Sequence, residues 1–89
     1  MPYSIVWTNK AAQEYGKLDN SVRKQIDKYL DKISVSADPC SMGKALSVDL
    51  TGLWRYRVGD YRIVVKIDNT ELIVLIVSVK HRSIVYREI

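Results

Sequence analysis

Cys40 and His81 are the only cysteine and the only histidine in this 89-residue chain. A lone cysteine excludes an internal disulfide, which fits a reducing compartment. One cysteine with one histidine cannot furnish a four-ligand structural zinc site. No metal and no cofactor is therefore expected. Long hydrophobic runs are also lacking. The longest, Leu72 to Val79, falls far short of the roughly 20 residues that span a bilayer as a helix. The opening residues, MPYSIVWTNK, have neither the basic start nor the apolar stretch of a signal peptide. The expectation is a cytoplasmic protein with no membrane partner. Internal repeats, low-complexity tracts and linker-like stretches are absent as well. Residues 1–89 read as a single domain in which nearly every apolar side chain serves one core.

What the chain does have is positive charge. Fourteen Lys and Arg stand against ten Asp and Glu, for a net charge of +4. That balance suits a polyanionic partner, and its distribution is uneven. Up to Asp49 the two signs interleave, as on solvated helix faces. From Trp54 to Arg87 the basic residues Arg55, Arg57, Arg62, Lys66, Lys80, Arg82 and Arg87 outnumber Asp60, Asp68 and Glu71. The cationic end is the C-terminal half.

Periodicity supplies the elements. Tyr3 to Trp7 reads as a short strand. Thr8 or Asn9 caps a helix with Ala11, Ala12, Tyr15 and Leu18 on one side, which Gly16 weakens. Asp19, Asn20 and Ser21 offer caps for a second helix, where Val22, Ile26, Tyr29, Leu30 and Ile33 recur at spacings of three and four. Ser36 to Thr51 reads as a loop-rich connector. Leu53 to Val58 and Tyr61 to Ile67 flank Gly59-Asp60, a tight hairpin turn. Asp68-Asn69-Thr70 makes the next turn, and Leu72 to Val79 is so continuously apolar that it reads as an inner strand covered on both sides. The fold class is α+β: β-α-α-β-β-β, two N-terminal helices on one face of a small, mainly antiparallel sheet.

A two-residue hairpin loop sets the register. It pairs Val58 with Tyr61, Arg57 with Arg62 and Tyr56 with Ile63. Alternation then gives Trp54, Tyr56, Val58, Tyr61, Ile63 and Val65 one face, and Arg55, Arg57, Arg62 and Lys66 the other. Arginines directly opposite one another repel unless an anion lies between them. Guanidinium groups on a stiff hairpin suit phosphate, because each offers planar, multi-donor contacts. A solvated face with Asp49 pairing the arginines explains the same residues. Lys80, His81, Arg82 and Tyr86 follow the last strand and can approach the arginine face from its end. RNA cleavage needs a base for the 2′-hydroxyl, charge stabilisation of the phosphorane and an acid for the 5′-oxygen.

The block W-R-Y-R-V-G-D-Y-R at Trp54 to Arg62 and the ending H-R-x-x-x-Y at His81 to Tyr86 resemble the RelE toxins of the RelE/ParE toxin–antitoxin superfamily. So does the helix start Leu18-Asp19-Asn20-Ser21-Val22-Arg23-Lys24-Gln25-Ile26. The resemblance runs from about Tyr3 to Arg87 and implies a single RelE-like toxin domain. It also implies a ribosome-dependent mRNA endonuclease that acts in the A site without metal, by 2′-hydroxyl attack. By position, Arg55 and Arg57 match the two basic residues of the second strand, the first linked to activating the nucleophile and both to holding phosphate. Arg62 matches the arginine that stabilises the transition state, Arg82 the basic residue near the leaving group, and Tyr86 the tyrosine that stacks on a base or assists proton transfer.

Two departures matter. Some relatives carry lysine where Arg55 and Arg57 stand, and arginine gives up its proton far less readily. Others pair a glutamate base with a histidine acid; His81 could fill the acid's place, but no glutamate stands in the second strand. The leaving-group role thus lies between His81 and Arg82. The implied partners are a cognate antitoxin, the ribosome with its message, and operator DNA reached through the antitoxin. Two alternatives are a ParE-like inhibitor of DNA gyrase and a non-catalytic antitoxin-binding module.

Overall fold

A threonine placed before a run of helix formers starts the first helix of the computed structural model, which describes residues 3–36, 44–45, 53–81 and 83. Strand β1 (Ser4–Trp7) ends at Thr8, whose Oγ1 accepts the Ala11 amide at 3.1 Å and caps α1 (Asn9–Gly16). Helix α1 stops at Gly16, where the backbone gains most from leaving the helix. Helix α2 (Asn20–Val35) follows from Asp19 and buries Ile26, Leu30 and Ile33, with Val22 and Tyr29 packed beside them. These are the residues its periodicity selects.

The connector is not wholly loop. Lys44–Ala45 form a two-residue strand, β2, antiparallel to β3 (Leu53–Val58). The rest of it, Asp49 included, lies outside the described residues. A free strand edge offers unpaired amides and carbonyls to any neighbouring extended segment, whatever its side-chain pattern. Strand β4 (Tyr61–Asp68) then pairs with β3 in the hairpin register expected from the loop: Val58 with Tyr61, Arg57 with Arg62, Tyr56 with Ile63. Gly59 turns the hairpin at φ +58°, a left-handed value that suits glycine. At the next turn the Asp68 carboxylate accepts the amides of Thr70 and Glu71, each at 2.9 Å.

The last strand, β5 (Ile73–His81), lies between β4 and β1 in the order β1-β5-β4-β3-β2. It is parallel to β1, with Ser4 to Trp7 beside Ile73 to Ile76, and antiparallel to β4. Both helices cover one face. Ala11, Ile26 and Ile33 meet Tyr56, Ile63, Val65, Val74, Ile76 and Val79 there. The expected cover on both sides of β5 holds fully for that face only. Among the described residues, Ile73, Leu75 and Val77 are half-buried, and Ile73 and Leu75 border an open recess with Val6, Lys66 and Asp68.

One irregularity governs the end of β5. Val65 pairs with Ile76 but Val64 pairs with Ser78, so Val77 is an inserted residue, a β-bulge. Strict alternation from Val74 and Ile76 would turn Ser78 into the core. The bulge moves the phase by one residue and brings Val79 there instead, 2% exposed. Ser78 to His81 change face with it.

Candidate nucleic-acid interface

The arginine face is the sheet face that neither α1 nor α2 covers. Arg57 and Arg62 are direct cross-strand partners, and Arg55 lies two residues from Arg57, on the same side of β3 and opposite Val64. Arg57 is exposed, while Arg55 and Arg62 are half-buried. The Arg57 Nε lies 3.5 Å from the Gly59 carbonyl, which steers the guanidinium along the turn. Among the described residues no carboxylate makes an ion pair with Arg55 or Arg57. Lys80 continues the row, because it pairs with Arg62 from β5. Register thus sets Arg57, Arg62 and Lys80 in line across three strands, cation opposite cation, a costly arrangement without anions. The backbone beneath is rigid: Tyr56 and Ile63, on the reverse of the same strands, are fully buried.

His81 takes the other side. It pairs with Tyr61, and the two rings meet edge to face with centroids 5.4 Å apart. By alternation both belong to the helix-covered face, at its open end, where each is half-buried. The bulge at Val77 is the cause, since without it His81 would stand in the arginine row. The Ser83 hydroxyl lies 3.0 Å from His81 Nδ1, and the Ser83 amide donates to the same nitrogen at 3.4 Å. Arg82 and Tyr86 lie outside the described residues. Of the six residues singled out by sequence, the structure therefore brings together Arg55, Arg57 and Arg62, and sets His81 around the sheet end from them.

Glu14 was not singled out by sequence. From α1 its Oε1 accepts the Val79 amide at 2.9 Å, and its Oε2 lies 2.7 Å from Lys80 Nζ. Burial raises the pKa of this carboxyl, but the Lys80 ammonium, the Val79 amide and the charge of Lys10 together bring it below the ordinary glutamate value. No local signal marks Glu14, because its partners stand 65 and 66 residues away. The described residues contain no group of three or more potential metal ligands and no helix long and apolar enough to cross a membrane.

Known proteins share this architecture. A family model described as "ParE toxin of type II toxin-antitoxin system, parDE" matches residues 5–86. Toxin RelG of Mycobacterium tuberculosis is 31% identical over 87 residues, covering 98% of this chain and 99% of that protein. In the M. tuberculosis RelBE2 toxin–antitoxin complex, a chain superposes with a TM-score of 0.79 at 29% identity, over 92% of this chain and 100% of that one. The isolated RelE toxin of E. coli gives 0.76 at 26% identity, over 97% and 93% of the two chains.

Proposed function

This chain belongs to the RelE/ParE superfamily of toxins of type II toxin–antitoxin systems, and on that footing we propose that it is a metal-free endoribonuclease cutting mRNA in the ribosomal A site. One observation carries the reading. Guanidinium groups from nearby positions of one hairpin share the sheet face opposite α1 and α2, with Arg57 directly across from Arg62. Such a row attracts a phosphodiester, and charge developing on its oxygens in the transition state attracts the row more strongly still.

The chemistry is 2′-hydroxyl attack on the adjacent phosphorus. The 2′-hydroxyl gives its proton to water or to the Tyr86 phenolate, and the O2′–P bond forms as the P–O5′ bond breaks, leaving a 2′,3′-cyclic phosphate and a 5′-hydroxyl. Arg55 and Arg57 hold the phosphate, and Arg62 stabilises the crowded phosphorane. Tyr86 stacks on a neighbouring base or assists proton transfer. The 5′-oxygen must gain a proton as it departs. The placement of His81 against Tyr61, on the reverse face, supports Arg82 in that role. A cognate antitoxin is the proposed inhibitor and the link to operator DNA, as RelBE2 is itself a toxin–antitoxin complex.

The ParE description of the matching family model favours a second reading, inhibition of DNA gyrase. Induced expression followed by primer extension on a translated message separates the two. Cuts within codons at the A site are the expected result. Loss of plasmid supercoiling with an intact message would replace the nuclease by the gyrase inhibitor. Antitoxin binding with neither effect would leave a non-catalytic module.

A further inference from the structure

Among the described residues, the C-terminal half of β5 has no strand on its outer side, because β1 pairs with Ile73–Ile76 and stops there. Helix α1 takes its place. The Thr8 hydroxyl donates to the Ile76 carbonyl at 3.0 Å, with the Val77 carbonyl at 3.3 Å, and the Glu14 carboxylate accepts the Val79 amide. Glu14 also holds Lys80. By register Lys80 belongs to the arginine row, opposite Arg62. Its ammonium is nevertheless bound by a carboxylate from the helix layer, across the open edge. Side-chain exposures of 17% and 18% make this a partly buried ion pair, less screened by solvent than a pair at the open surface.

We propose that Glu14 withholds Lys80 from RNA, so that the phosphate-binding set of this face is Arg55, Arg57 and Arg62 without the lysine aligned beside them. The inference rests on the RNA-binding part of the reading above and is independent of cleavage. Every cation that contacts phosphate releases counterions and steepens the salt dependence of binding. Taking Lys80 out of the row limits grip on the RNA backbone and eases release of the cut strand. Relief of repulsion in the Arg57, Arg62, Lys80 line follows from the same contact.

The test is a salt titration of the full chain with a single-stranded 2′-O-methyl RNA oligonucleotide, which binds without being cut. Each phosphate contact contributes about 0.7 to the slope of log K against log salt for a single strand. Lys80→Met should leave the wild-type slope unchanged. A slope shallower by about 0.7 would mean that Lys80 already contacts phosphate, and would overturn the proposal. Glu14→Gln keeps an acceptor for the Val79 amide but loses the charge. It should steepen the slope by about 0.7 and bind several-fold tighter at low salt, and adding Lys80→Met should cancel the gain. An unchanged slope in a folded Glu14→Gln protein would equally refute withholding. Should that variant fail to fold, Lys80→Met decides alone. A wild-type chain that binds no RNA at any salt would overturn both this inference and the proposed function. RNA binding with the wrong slope pattern overturns the inference only.

Discussion

The two faces of the β3–β4 hairpin use alternate residues of one stretch of chain, yet they obey opposite rules. On the helix side Tyr56, Ile63 and Val65 are fully buried and Val58 nearly so. On the other side stand Arg55, Arg57 and Arg62, exposed or half-buried. The first face gains stability by leaving water. The second gives up stability, since aligned cations repel, and under the proposed function that cost is offset by a phosphate lying across them. A fold can hold such a row only where the backbone beneath it is locked from behind. Here the lock is the packed reverse of the same two strands, with the Tyr56 ring against Tyr29 at 5.7 Å. Stability and function are thus separated by a single step along the chain.

That separation can be broken from either side. Tyr56→Ala should be the larger blow, a loss of about 4 kcal/mol as for other large core aromatics. Thermal unfolding would show it as a fall of about 20 °C for a domain of this size. A loss below about 1 kcal/mol would mean that the helix-side face is not the lock. Arg62→Ala should do the reverse. Cleavage and growth arrest fall by about a hundredfold or more, while melting temperature and antitoxin binding stay at wild-type values. Unchanged toxicity would remove Arg62 from the site.

Smaller effects are expected where the helix layer meets the sheet edge. Thr8→Ala removes a helix cap together with a hydroxyl contact to β5, and should cost about 1–2 kcal/mol, read by denaturant unfolding. The smallest expected effect is one of pH. Glu14 is more acidic folded than unfolded, so its contribution is present above the ordinary glutamate value and is lost as pH falls through the lowered one. The stability difference between wild type and Glu14→Gln should therefore be constant near neutrality and shrink in acid. A difference that grows in acid would show that the pair with Lys80 does not stabilise the fold.

Much of this was legible in the sequence because it is local. A glycine-led two-residue turn leaves two strands one antiparallel register, and alternation then assigns every hairpin side chain to a face. Spacings of three and four did the same for α2. Recognition of the arginine row followed from those rules, and the toxin family from a motif that spans the same turn.

The remainder depends on groups far apart in sequence. The parallel pairing of β1 with β5 and the added strand β2 arise from backbone hydrogen bonds, which carry no residue code. Glu14 found Val79 and Lys80 only once α1 had docked along the strand edge. Most telling is Val77. By alternation alone His81 would face the arginines and Lys80 the core, but the inserted Val77 sets Val79 opposite the buried Ile63, and that bulge exchanged the two. From the order of residues follow the elements, the hairpin register and the division into a greasy face and a basic one. Which side chain from the end of β5 joins the basic face was settled by tertiary pairing, because the bulge at Val77 packs Val79 against the core beside Ile63 and so turns Lys80 toward Arg62.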